Sequence, residues 1–136
     1  MTEASNTHAF QHTGVFSIGT HAAGAPTLQA ILSVPADSSI VSGHGVLTQA
    51  INPPLHANNA FHGVVHALGL GPAKQIYAVQ GTAVPPLLGA PHVTQLVIAL
   101  DGIWGTKGTA TYTYVTGAVF HEIKDVPVTV QWLLQG

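Results

Sequence analysis

The chain has 136 residues, of which 46% are hydrophobic and only 6% charged, with a formal net charge of −2 at pH 7 and no cysteine. That length suits a single domain with one core. There is no Arg, and Lys74, Lys107 and Lys124 are scattered, so no patch can neutralise a row of phosphates and nucleic-acid binding is disfavoured. Disorder is disfavoured as well, because apolar content is high and net charge is small. Without cysteine there is no disulfide, thiolate nucleophile or Cys-based metal centre. Residues 1–11 are polar, with an acidic Glu3, and lack the basic start and apolar run of a secretory signal. No stretch approaches the roughly 18 apolar residues of a membrane-spanning helix. The expectation is a soluble protein with no classical signal peptide and no membrane span.

Along the chain, a flexible polar N-terminus over 1–13 gives way to a single domain over 14–136. Period-2 alternation dominates it, with β-branched and aromatic residues enriched between Gly, Pro, Asn and Asp clusters. Strands are predicted at about Val15–Gly19, Leu28–Val34, Ile40–Gln49, Phe61–Leu70, Lys74–Gly81, His92–Leu100, Gly108–Val115 and Val126–Leu134. In the last, Val126, Val128, Val130, Trp132 and Leu134 face one way and Thr129, Gln131 and Leu133 the other, so one face is buried. Pro35-Ala36-Asp37 closes a hairpin, and Asp101-Gly102 and Gly105-Thr106-Lys107-Gly108 tolerate positive φ. The stretches 52–59 and 84–91 are rich in proline, which cannot donate to a ladder, so both should be loops rimming one end of the fold. Phe61, Val64, Val65 and Leu68 also fit a short helix, but Gly63 and the β-branched pair favour strand. The run Gly19-Thr20, Gly24-Ala25-Pro26 recurs as Gly81-Thr82, Gly89-Ala90-Pro91, a pattern that two similar halves would leave. The fold class is all-β, an antiparallel sandwich or closed barrel of about 7–8 strands.

Nine histidines outnumber the eight Lys, Asp and Glu residues together, and imidazole both binds metals and titrates near neutrality. On a helix, His62-Gly63-Val64-Val65-His66 would pair two imidazoles on one face, though without the Glu of the zinc protease signature. On a strand the rings sit roughly 13 Å apart, too far for one ion, so no metal site is expected. His8, His12 and His21 read as surface decoration. His44 lies between Gly43 and Gly45, glycines that either clear space for a ligand or mark a close backbone approach. No G-x-S-x-G elbow occurs, and the adjacent His121 and Glu122 would point to opposite faces of a strand. Gly69-Leu70-Gly71 is not followed by the rest of a dinucleotide motif. Among the aromatics, Trp132 reads as core, while Trp104, in a turn, either folds back as a lid or meets a partner. The Thr109, Thr111 and Thr113 row reads as the wet face of a strand. Flat rings with polar tips suit sugar or apolar ligands. The candidate ligand-binding residues are therefore Trp104, His44, Tyr112 and Tyr114, with no catalytic residue, cofactor or metal ligand assigned.

The stretch Gly45-Val46-Leu47-Thr48-Gln49-Ala50-Ile51-Asn52-Pro53-Pro54-Leu55, followed by Gly63, Gly81-Thr82 and Gly108-Thr109-Ala110-Thr111-Tyr112, resembles a family of small uncharacterised bacterial β proteins, a domain of unknown function. The resemblance spans most of the chain. It implies an all-β fold and a bacterial source, and it brings no activity, cofactor or catalytic residue. The ending Gln131-Trp132-Leu133-Leu134 also resembles avidin-type barrels, but over too few residues to imply a ligand. Function is expected to be that of a non-catalytic binding or surface-interaction module for a small apolar or sugar ligand or a protein partner. A His-based enzyme and a purely structural or oligomeric protein are the alternatives. The binding module predicts an aromatic-lined apolar pocket at the proline-rich rim, the enzyme a His bonded to a carboxylate in a cleft, and the structural protein neither.

Overall fold

The computed structural model describes residues 11–68 and 74–133. Eight strands follow one another: β1 (His12–Ile18), β2 (Thr27–Val34), β3 (Ile40–Gln49), β4 (Leu55–Leu68), β5 (Lys74–Ala83), β6 (His92–Leu100), β7 (Lys107–Thr116) and β8 (Val119–Trp132). Each pairs antiparallel with its neighbour in sequence, and β1 pairs with β8 from Gly14↔Trp132 to Ile18↔Val128, which closes the sheet into a barrel. Closure removes free sheet edges and resolves barrel against sandwich. The up-and-down path puts the 19–26, 50–54, 84–91 and 117–118 connections at one end, the rim. The opposite end, the base, holds the 35–39 and 101–106 connections, the start of β1 and the end of β8.

Alternation along each strand sends one set of side chains inward, and they fill the interior. Phe16, Ile18, Leu28, Leu32, Leu47, Tyr77, Leu96, Ile98, Leu100 and Tyr112 are fully buried. Val128 and Val130 are buried while Val126 and Trp132 pack half-buried against the core, in the phase read from the sequence. Large and small residues interlock: a Cβ at Gly45 of β3 or Gly81 of β5 would lie 2.9 or 3.0 Å from the Phe61 ring on the strand between them. Backbone lies closer still, the Gln29 carbonyl against the Gly45 position and the Val93 carbonyl against the Gly81 one, so neither position accepts a side chain.

Several boundaries differ from those expected. Residues 59–68 are strand, not helix, within a β4 that begins at Leu55, so the proline loop expected over 52–59 is shorter. The inward set there is Ala57, Asn59, Phe61 and Val65, and the polar Asn59 hides the pattern from a hydrophobicity reading. Similarly, β8 starts at Val119 and not Val126, because a bulge opposite Thr111 carries Asp125 at φ 54 and breaks the period. β1 begins at His12, ahead of the expected boundary at 14. Gly24 and Gly89 share φ 79 and precede Ala-Pro before β2 and β6 respectively, strands four apart around the barrel. His8, the Gly69-Leu70-Gly71 run and Leu134 lie outside the described residues.

Candidate functional site

At the rim, a pocket of about 270 Å³ opens between the 50–54 connection and the far end of the β7–β8 hairpin. Ile51, Pro53, Pro54 and Leu55 form its apolar wall, and Gln49, Tyr114, Thr116 and His121 supply polar groups. Proline carries no N–H, so the wall presents carbon without an unpaired donor. Strand periodicity places the polar set: Tyr114 and Thr116 share the inward face of β7, and Tyr114 pairs directly with His121 of β8.

These groups hold one another. The Tyr114 and His121 rings stack with centroids 4.6 Å apart and planes 15° apart. His121 Nε2 and Thr116 Oγ1 are hydrogen-bonded at 2.8 Å. The Tyr114 hydroxyl donates to Gln49 Oε1 at 3.5 Å, and Gln49 Nε2 donates to the Gly24 carbonyl at 3.0 Å, tying the 19–26 connection to β3. Burial raises the Tyr114 hydroxyl above its ordinary pKa of 10.0, so it stays a neutral donor. No charged side chain lines the pocket. It can therefore take a neutral molecule, to which Gln49, Tyr114, Thr116 and His121 offer donors and acceptors.

The four candidate residues fall in four different places. Tyr114 lies in the rim pocket. Tyr112, two positions along the same face of β7, is buried in the core with its hydroxyl unpaired among the described residues, and burial pushes its pKa well above the ordinary tyrosine value. Trp104 is at the base, where it folds back as a lid: its backbone N–H donates to Gln75 Oε1 at 3.1 Å and its ring meets Trp132 edge-on at 5.4 Å. Its φ of 54 is strained for so bulky a residue and is held by those contacts. His44 is exposed on the outer face of β3; its glycine neighbours point inward, where Gly45 makes room for Phe61, so they clear no space around the imidazole.

Sequence reasoning missed Gln49, Thr116 and His121. Their side chains converge only because β3 and the β7–β8 hairpin are brought together across the barrel mouth, and no local motif marks that meeting. The proline pair 53–54 was the legible signal. His12 departs from its expected role as decoration: its ring lies 3.6 Å from Trp104 at 2° and meets Trp132 edge-on, and partial burial lowers its pKa from 6.5.

A second concavity of about 310 Å³ lies on the outside of the barrel over β1, β2 and β3, lined by Val15, Gln29, Ile31, His44 and Val46 along with Ala30 and Gly45. It is larger, but its two polar side chains are exposed and hold no mutual hydrogen bond among the described residues. The rim pocket, by contrast, brings four polar side chains together, joined by hydrogen bonds and ring stacking from Gln49 through Tyr114 and His121 to Thr116. His62 and His66 are both exposed on β4. Among the described residues no histidine lies within hydrogen-bond distance of a carboxylate, and the one ion pair joins Lys124 to Glu122 at 3.5 Å. No base-and-acid dyad is assembled there.

Fold and site together define a class: a closed, eight-stranded up-and-down barrel with a filled interior and a small neutral pocket at its mouth. More particularly, the chain belongs to the family of the domain of unknown function DUF1842, whose model matches residues 10–120. That span takes in every pocket residue except His121. No curated protein matches the sequence. No helix among the described residues is long and apolar enough to cross a membrane.

Proposed function

We propose that this protein is a non-catalytic binding module whose rim pocket takes a small, neutral, largely apolar molecule carrying one hydrogen-bonding group. The observation that carries this reading is the pairing of an uncharged Ile51-Pro53-Pro54-Leu55 wall with Gln49, Tyr114, Thr116 and His121 in one cavity. Apolar area supplies most of the affinity in such sites, and a few placed polar groups fix orientation. The volume of about 270 Å³ exceeds the roughly 150 Å³ that admits benzene in an apolar cavity, so a one- or two-ring molecule fits. A sugar is the weaker candidate. Sugars stack on open aromatic faces, whereas Tyr114 is 4% exposed with His121 covering one face. Trp104, which would suit a sugar, is committed to His12 at the other end.

The test uses 2-naphthol, a neutral two-ring probe with one hydroxyl, titrated into isotope-labelled protein and followed by NMR. Saturable shifts should appear at the Gln49 side-chain amide, Thr116 and His121, with a dissociation constant at or below about 1 mM. The indole signals of Trp104 and Trp132 at the base should stay still, and Leu55→Trp, which fills the pocket, should abolish the response. Unsaturable shifts, or shifts centred on the base tryptophans, would defeat the proposal.

A further inference from the structure

We infer that the rim of the barrel docks on the surface of a neutral, zwitterionic lipid bilayer, with Leu87, Leu88, Val119 and Phe120 entering its interfacial layer. Six large apolar side chains are exposed at this end: Ile51 48%, Val84 48%, Leu87 65%, Leu88 107%, Val119 57% and Phe120 73%. They sit on three separate connections or their flanks, around the barrel mouth. Exposed apolar clusters of this kind mark interaction surfaces.

Charge and backbone chemistry point to lipid. None of the four rim connections, 19–26, 50–54, 84–91 and 117–118, contains a Lys, Arg, Asp or Glu. At the base, by contrast, Asp37 and Asp101 lie in connections and Lys74 and Lys107 begin strands. The most prominent projection, 84–91, is also poor in free donors. Pro85, Pro86 and Pro91 have no N–H, and the amides of Val84, Leu87 and Ala90 donate to the carbonyls of Asn58, Pro85 and Leu87. A segment that brings few unpaired polar groups can leave water at little cost. With no Lys or Arg in the rim connections and a net charge of −2, anionic lipid offers little electrostatic attraction near neutral pH, which is why the bilayer is a zwitterionic one.

Sedimentation of the full chain with dioleoylphosphatidylcholine vesicles tests this. Binding should be unaffected by raising salt from about 0.1 to 0.5 M, and should not increase when phosphatidylserine is added. Each fully inserted leucine is worth roughly tenfold in partitioning, so the exposed-site double variant Leu87→Ser/Leu88→Ser should reduce it at least about tenfold. Ile40→Ser and Ile103→Ser, exposed at the base, should leave it unchanged. Binding only to anionic vesicles with salt sensitivity, equal loss in the base variants, or no binding to phosphatidylcholine would overturn the inference. So would a lipid-free self-association that the double variant abolishes, which would make the rim an interface between copies. Leu87 and Leu88 do not line the pocket, so 2-naphthol binding by the double variant separates failure here from failure of the pocket reading.

Discussion

Replacing Asn59 by Leu probes how the mouth of the barrel is held. Asn59 is 1% exposed, a polar side chain inside an apolar core. Ladder pairing between β5 and β6 ends at Gln80↔Gln95, before Val93 is reached. There Asn59 Oδ1 accepts from the Val93 amide at 2.7 Å, and its Nδ2 donates to the carbonyls of Ala57 at 3.1 Å and Gly45 at 3.4 Å. One side chain thereby ties β3, β4 and β6 together. A leucine has a similar branched shape but leaves the buried Val93 N–H without its acceptor, at a cost of about 1–3 kcal/mol, and forfeits the Ala57 bond, about 0.5–1.5 kcal/mol. The Gly45 contact is long and adds little. The expected loss is about 2–4 kcal/mol, read as a lower urea midpoint at constant m-value. The Val93 amide should also exchange with solvent faster than the core amides of β6. A loss below about 1 kcal/mol with Val93 still protected would show that Asn59 is not the tie.

Other consequences follow from the packing. Trp132→Ala removes edge contacts to Phe16 at 5.7 Å and to Trp104, and the Nε1–H bond to the Gly105 carbonyl; chemical denaturation should show a loss of about 3–5 kcal/mol, and less than about 1 would mean the ring does not brace the base. Tyr112→Phe deletes a buried hydroxyl that has no partner among the described residues, so stability should hold or rise by about 1 kcal/mol, and a comparable loss would contradict that geometry. Between pH 7.5 and 5.5 the net charge should swing from −2 toward about +7, nine imidazolium and three lysine charges against five carboxylates, visible as reversed electrophoretic mobility. Stability should change little over that range, because His21, His44, His56, His62 and His66 are exposed. His12 adds a small acid-side loss: its folded pKa lies below the unfolded 6.5, so destabilisation begins as pH falls through 6.5 and is complete below the folded value. A fall in melting temperature above about 10 °C would place further histidines in the core.

Much of the barrel was legible because period-2 alternation is a local property. The β8 phase of Val128, Val130 and Trp132 and the 35–39 hairpin needed only neighbouring residues to be read. Closure was not legible, since pairing of β1 with β8 joins residues more than a hundred positions apart and has no local signature. Asn59 and Asp125 blurred the ends of β4 and β8 for opposite reasons, one a polar residue turned inward, the other a bulge that resets the period. For the site, the proline pair at 53–54 pointed to the rim and Tyr114 stood among the aromatic candidates, whereas Gln49, Thr116 and His121 acquire meaning only from the register across the barrel mouth. Trp104 and His12 carried a structural role that depends on their meeting at the base.

Intermolecular nuclear Overhauser effects from bound 2-naphthol to methyl and aromatic protons decide where the ligand sits, since they report contact within about 5 Å, the reach of side chains lining one pocket. Contacts to the methyls of Ile51 and Leu55 and to the Tyr114 ring in the rim pocket are expected. Contacts instead to Val15, Ile31 and Val46, in the larger outer concavity beside His44, would contradict binding at the rim.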